Sequence, residues 1–182
     1  NLKTEKYNDG TDIPVLSNQI DWSNGTIAAL CWYDNNESAN KDYYGALYNW
    51  YAVNSGRLCP TGWRVPTDDD WKILESYLGM SAATVELDSW RGTTEGTEMK
   101  STVGWYSGGN GTNESGFTAD PAGYRDTNGN FTELGINTYY WTSTSVDPTM
   151  SWFRGLSYMQ SGVRRGWNIM NVGYSVRCLR NQ

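Results

Sequence analysis

The clearest periodic segment of the chain begins at Thr67. Thr67 is a good N-cap residue, and the three aspartates that follow it lie where the helix dipole favours negative charge. Apolar residues then repeat at helical spacing up to Leu78, and Gly79 stands where a helix often ends in a left-handed conformation. The pattern predicts a helix over 68–78, and capping explains the aspartates better than a metal site does.

A second helix is predicted just upstream. Tyr44, Leu47, Tyr48 and Tyr51 are spaced i, i+3, i+4 and i+7, which places them on one face of a helix, although Gly45 is a poor helix former.

The second half of the chain is typical of strands and tight turns. Asn128-Gly129 predicts a hairpin turn, which fits better than a calcium loop because Gly129 is misplaced for the calcium-binding pattern. From residue 139 onward, strand-like segments are separated by turn residues: YYWTSTS, SWFRGLSYM, GVRRGWNI and GYSVRCL. Two helices followed by paired strands predict one α+β domain over 1–182.

Alternation along 151–160 divides the side chains between two faces of a strand. One face carries Trp152, Arg154, Leu156 and Tyr158; the other carries Phe153, Gly155, Ser157 and Met159. A core packed to crystal-like density rarely mixes such different volumes. The second set is therefore predicted to lie on a surface that tolerates variety.

The amino-acid composition excludes several kinds of active site and partner. The 182 residues include 10 Trp and 13 Tyr but 3 Phe and no His, so a Ser-His-Asp triad and histidine ligands to zinc are excluded. The net charge of −6 and the lack of basic tracts argue against a nucleic-acid partner. No run of 18 apolar residues is present, so no membrane span is expected.

Charge is unevenly distributed. All 20 acidic residues precede position 148, whereas five of the nine arginines follow it. Pairing with the acidic body is the favoured explanation for Arg177 and Arg180, and a positive patch that attracts an acidic partner is the alternative elsewhere. Three distant cysteines, Cys31, Cys59 and Cys178, are compatible with one disulfide and one free thiol, or with three reduced thiols.

Seven ordered blocks resemble the Fibrobacter succinogenes major paralogous domain over nearly the whole chain. The blocks are NLKTEKYNDGTDIP, CWYDNN, YGALYNWYAV, LCPTGWRVPTDDDWKILESYLG, SGFTADPAGYRD, YYWTSTS and GYSVRCLR. GWRVPTDDDW and GYSVRC are also similar to the ends of the formylglycine-generating-enzyme fold. The resemblance implies a C-type-lectin-like fold, with two helices flanking a small twisted antiparallel sheet and long loops.

The same resemblance bears on function. The cysteine pair of the formylglycine-generating enzymes and the calcium motifs of lectins are not recognisable here, so neither an enzyme nor a calcium-dependent lectin is expected. Where family members tend to carry small polar and Tyr residues, this chain has larger cationic and apolar groups in 164–170. Region 152–171 thus resembles the variable region of retroelement-diversified proteins, which display mutated positions on a C-type-lectin-like scaffold.

The leading hypothesis is a non-enzymatic, ligand-binding adhesin or receptor-binding domain, exported to the cell surface or carried on a phage particle. Its ligand would be a protein or glycan on another surface, with no cofactor, metal or nucleic acid involved. The alternatives are a structural module of a surface lipoprotein or fibre, and an enzyme of the formylglycine-generating type. The predicted contact residues are Phe153, Gly155, Ser157, Met159, Arg164, Arg165, Trp167, Ile169 and Met170.

Overall fold

A six-stranded mixed sheet dominates the computed structural model, which describes residues 1–181. The helices in that range are α1 (Gln19–Ser23), α2 (Glu37–Tyr44), α3 (Trp50–Val53), α4 (Asp68–Tyr77) and α5 (Glu95–Met99). The strands are β1 (Leu30–Cys31), β2 (Leu47–Tyr48), β3 (Trp63–Arg64), β4 (Ser89–Arg91), β5 (Ala122–Arg125), β6 (Phe131–Leu134), β7 (Asn137–Ser145), β8 (Met150–Ser157), β9 (Val163–Ile169) and β10 (Leu179–Arg180).

The order of the large sheet is β4-β9-β8-β7-β5-β6. Its neighbours are antiparallel except β5 and β7, which are parallel. Two further sheets have two strands each, β1 with β2 and β3 with β10. No helix in residues 1–181 is long and apolar enough to cross a membrane.

This architecture corrects the expected C-type-lectin-like α+β fold. Two helices flanking a small sheet were predicted, whereas the described chain is mostly strand and loop with five short helices, the longest of ten residues. The predicted helix over 44–51 is wrong. Gly45 has a φ of +78° and ends α2, Leu47 and Tyr48 then pair with β1, and α3 begins at Trp50. The helical spacing of apolar residues arose because the whole segment 45–50 is buried.

Other local predictions are confirmed. α4 spans Asp68–Tyr77, where Thr67 and Asp70 form a capping box, and Gly79 follows with a φ of +112°. β5 and β6 form the predicted hairpin, in which Gly129 has a φ of +83° and Asp126 accepts hydrogen bonds from the backbone N–H groups of Asn128 and Asn130.

The segment GYSVRCL contributes isolated bridges and β10 rather than one strand.

Both faces of the large sheet carry a hydrophobic core cluster. One face packs its aromatic side chains around Tyr174, whose ring stacks on Tyr139 at 4.9 Å and lies 5.2 Å from Phe153. The other face packs Tyr140, Leu156 and other apolar side chains against Trp71 of α4. A disulfide joins Cys59 to Cys178, and Cys31 is a buried free thiol whose pKa is raised to about 12 by burial.

An ion-pair network docks α4 onto the sheet. Glu75 is fully buried and accepts hydrogen bonds from Arg154 Nε at 2.6 Å and from Arg91 Nη2 at 2.5 Å. Arg154 Nη1 also lies 2.7 Å from Asp68 Oδ1, at the first turn of α4. Because these charges are removed from water, each depends on its partners for compensation.

Glu75→Gln is expected to lower the free energy of unfolding by about 3–5 kcal/mol, because Arg154 and Arg91 would lose a charged partner inside the protein. Urea denaturation measures the change. Glu86→Gln is the matched control, since the Glu86 carboxylate is largely exposed and its partner Lys72 keeps Asp68 and Asp69, so its loss should cost no more than about 1 kcal/mol. Equal unfolding free energies for the two variants would contradict the role assigned to Glu75.

Candidate binding surface at the end of the sheet

Strand β8 alternates as predicted, but its odd-numbered face is not a surface. Phe153, Gly155 and Ser157 are all buried. A Cβ on Gly155 would lie 3.0 Å from the Tyr139 ring, and one on Gly166 of the neighbouring strand would lie 2.9 Å from the Phe153 ring. The mixture of large and small residues is therefore complementary packing around aromatic rings, and the prediction that this set is exposed is wrong.

Two further predicted contact residues are also buried. Met170 belongs to the core beside Trp50, whose backbone N–H donates to the Met170 carbonyl at 2.8 Å. Arg165 is 7% exposed and belongs to the ion-pair network. Its guanidinium contacts Asp68 through Nη2 at 2.8 Å and Asp88 through Nη1 at 2.8 Å.

The four remaining residues are exposed but do not form one surface. Met159 lies in the turn after β8. Arg164 pairs with Gly155 and lies over the Phe153 ring at 5.5 Å, so it is on the opposite face of the sheet from its neighbour Arg165. Trp167 and Ile169, respectively 46% and 50% exposed, share the face of Arg165.

Cross-strand pairing completes the surface around Trp167. Trp167 is directly opposite Trp152, and Ile169 is opposite Met150. The two indole rings contact edge to face, with centroids 5.5 Å apart. We call these four residues, Met150, Trp152, Trp167 and Ile169, the tryptophan surface. Alternation over 151–160 had placed Trp152 outside the predicted site and did not include Met150; only the register of β8 against β9 brings both in.

The tryptophan surface rests on a fixed cation. The Arg165 guanidinium lies 3.7 Å from the centroid of the Trp152 ring, an arrangement in which the cation is attracted to the face of the indole. Asp68 and Asp88 hold the same guanidinium, and the Glu86 carbonyl accepts a further hydrogen bond from it. Trp152 thus packs on a group that five hydrogen bonds fix in place.

Next to the tryptophan surface, the sheet has an open edge. β4 pairs with β9 only over Val163–Arg165, and no described strand covers the outer edge of β9 beyond that point. A shallow cavity of about 190 Å³ lies there; it is lined by Asp88, Ser89, Arg164, Arg165, Gly166 and Trp167. Both charge signs and an indole therefore border the part of β9 that no described strand covers.

The arginines near the C-terminus pair differently from the expectation. Within residues 1–181, Arg177 and Arg180 have no carboxylate within 4 Å; the arginines that pair with the acidic body are Arg154 and Arg165. Their carboxylate partners include Asp68, one of the three aspartates at the start of α4. No group of three or more potential metal ligands occurs among the described residues.

Comparison with known proteins gives one match. The sequence profile of the Fibrobacter succinogenes major domain family matches residues 1–180. The chain belongs to this family. No curated protein and no solved structure gave a significant match. The family is thus established by a match over nearly the entire sequence.

The membership confirms the resemblance seen in the seven sequence blocks. It carries no catalytic or ligand assignment for the tryptophan surface, so any function of that surface has to be argued from the geometry of its residues.

The support beneath the tryptophan surface is sensitive to acid. Burial would raise the pKa of the Asp68 carboxyl, but hydrogen bonds and charge from Arg165 and Arg154 outweigh burial and hold the pKa well below its usual range. A carboxyl with a depressed folded-state pKa contributes stability above its unfolded pKa of about 4 and loses that contribution as the pH falls toward the folded pKa.

We therefore expect the unfolding free energy of the native chain to fall between about pH 5 and pH 2, and Asp68→Asn to fall less steeply. Urea midpoints measured across this range test the difference in slope. Asp69→Asn is the control, because Asp69 is largely exposed and contacts only Lys72 among the ion pairs. A slope for Asp68→Asn as steep as that of the native chain would show that Asp68 does not carry the acid sensitivity.

Proposed function

We propose that this chain is a non-enzymatic ligand-binding domain that contacts a protein or glycan through the tryptophan surface. The observation that supports this most directly is the Trp152–Trp167 pair, in which a partly buried indole meets a half-exposed one edge to face above the buried Arg165 guanidinium. Trp is among the residues that dominate binding energy at interfaces, and Met and Ile add apolar contact area.

Rigidity supports the same proposal. A binding surface loses less conformational entropy on association when its side chains are already held in place. Trp152 packs between Arg165 and Trp167, and below them β8 and β9 pair from Met150–Ile169 to Gly155–Arg164. At the open edge of β9 next to Trp167, Asp88 and Arg164 provide charged groups of both signs that can select a partner without a large net charge.

The buried carboxylates favour a binding role over catalysis. Asp68 and Glu75 are bound by arginines, and Glu95 accepts hydrogen bonds from the backbone N–H groups of Thr93 and Thr94. Carboxylates engaged in this way stabilise the fold and are not placed to exchange protons with a substrate.

An exported location is part of the proposal. Disulfides persist in oxidising compartments, and the Cys59–Cys178 bridge favours the cell surface, an extracellular location or a phage particle over a reducing one. A structural module of a surface fibre is the second candidate, because the open edge of β9 is a place where a neighbouring strand can pair.

Trp167→Ala is expected to weaken ligand binding by about 2 kcal/mol or more, roughly 30-fold, because an anchoring aromatic side chain is lost. Purified polysaccharides and extracellular matrix proteins, immobilised for surface plasmon resonance, would identify a ligand for this comparison.

Tyr106→Ala is the matched control. Tyr106 is 62% exposed and packs edge to face on Tyr158 with centroids 5.4 Å apart, which reproduces the Trp152–Trp167 geometry at the far end of β8. Unchanged affinity in Trp167→Ala would exclude the tryptophan surface as the contact site. Binding to no member of the panel would favour the structural-module alternative.

We propose further that the exposed positions of this surface are diversified by a retroelement. The large residues at Trp167 and Ile169 occur on an otherwise constrained strand, which supports the idea. The expected finding is a reverse transcriptase gene near the coding sequence, with an adenine-rich copy of the segment that encodes these positions. Flanking DNA that lacks both would contradict the proposal.

A further inference from the structure

A second cavity, separate from the tryptophan surface, lies on the other flank of α4. Its volume is about 400 Å³, within the range of small-molecule sites. Trp71 and Leu74 of α4 form one wall, Phe117 forms part of another, and Arg177 and Leu179 come from the C-terminal segment. The lining is mostly apolar, with one guanidinium among aromatic and aliphatic side chains.

Arg177 is held in position yet has donor capacity to spare. Its Nε donates to Asn1 Oδ1 at 2.8 Å and its Nη2 to the Thr118 carbonyl at 2.7 Å, while the guanidinium lies 4.7 Å from the centroid of the Phe117 ring. Within residues 1–181, the two hydrogen bonds of the guanidinium come from Nε and Nη2, the Tyr140 ring centroid lies 6.0 Å away, and no carboxylate lies within 4 Å. The contacts fix the side chain without neutralising its charge.

The carboxylate in the cavity wall is already engaged. Asp70 pairs with Arg64, whose Nη2 lies 2.8 Å from Asp70 Oδ1, and it also accepts a hydrogen bond from the Thr67 backbone N–H at 2.7 Å. These contacts lower the pKa of Asp70 to about 2, with the Arg64 hydrogen bond as the largest cause. The charge of Asp70 is therefore neutralised by Arg64, and Arg177 has no anionic partner in the cavity wall.

The wall of the cavity contains a deeply buried indole. The Trp71 side chain is 2% exposed, and its indole N–H has no hydrogen-bond partner among the described residues. This nitrogen has almost no solvent-accessible surface, so it is a reporter of changes in the cavity wall and not a contact point for a ligand. The cavity thus combines an apolar lining with an uncompensated cation.

We propose that this cavity binds a small carboxylic acid whose carboxylate is attached to an aromatic or branched apolar group. The carboxylate pairs with the free side of the Arg177 guanidinium, and the apolar group packs between Trp71, Leu74 and Phe117. A guanidinium that also lies against an aromatic ring suits an acid with its own apolar body better than a hydrated inorganic anion.

The ligand can be a free acid or the C-terminus of a peptide, and the test separates these sources. 3-Phenylpropionate represents the free acid, N-acetylphenylalanine represents the peptide terminus, and N-acetylphenylalaninamide is the uncharged control. Each is titrated into the intact, ¹⁵N-labelled chain while indole N–H resonances are followed by NMR, with Trp71→Phe identifying the Trp71 signal. Binding of both acids supports a free-acid site, and binding of N-acetylphenylalanine alone supports a peptide terminus.

The expected result is saturable movement of the Trp71 indole resonance at roughly millimolar acid concentration, as is usual for ligands of this size. The amide should bind at least about tenfold more weakly, and Arg177→Gln should reduce acid binding by a similar factor. Trp167→Ala should leave it unchanged, which separates this site from the tryptophan surface.

Leu179→Trp provides a variant that leaves Arg177 in place, in case Arg177→Gln fails to fold. Leu179 is 39% exposed at the rim, and a larger side chain there is expected to fill the cavity and abolish binding. Equal binding of amide and acid, no response to either acid, or full binding in Leu179→Trp would overturn the proposal.

Discussion

The contact on which the structure most depends is the buried pairing of Glu75 and Asp68 on α4 with Arg154 on β8. The two carboxylates of α4 face the large sheet, and the fully buried Arg154 of its central strand β8 binds both. Such a network gains little over apolar packing in free energy, but it tolerates few alternative arrangements, because a shift of one residue in register would leave charges unpaired inside the protein. The ion pairs therefore define where the helix lies on the sheet.

The position of the binding surface follows from that docking. Asp68 contacts both Arg154 and Arg165, so the residue that anchors the first turn of α4 also orients the guanidinium beneath Trp152. The aromatic pair above it needs no flexible loop for support. A continuous set of contacts thus leads from the buried centre of the domain through the partly buried Trp152 to the half-exposed Trp167, so the surface is held as rigidly as the core.

Local signals in the sequence were sufficient for elements that are stabilised within a few residues of one another. The capping box of α4 and the turn at Asn128-Gly129 are of this kind, since each depends on hydrogen bonds inside one short segment. The helix prediction for 44–51 was wrong because residues 45–50 are all buried, which gives an apolar spacing that does not identify a single face. The prediction of the site was wrong in part for a related reason. Whether Phe153 or Trp152 faces solvent depends on Tyr174 and α4, which are distant in sequence.

The packing of β8 and β9 also limits how the surface can vary. At Gly155 and Gly166 any side chain would bring a Cβ to about 3 Å from an aromatic ring, and at Arg165 a substitution would leave Asp68 and Asp88 without their shared partner. Trp167 and Ile169 have no comparable constraint, since half of each side chain faces water. Because side chains alternate along the strand, the positions that can be substituted are spaced two residues apart on one face. The positions between them cannot be substituted without disturbing the packing or the ion pairs. A surface of this kind can change its chemistry without disturbing the ion pairs and rings that hold it, provided that changes fall on that alternate set.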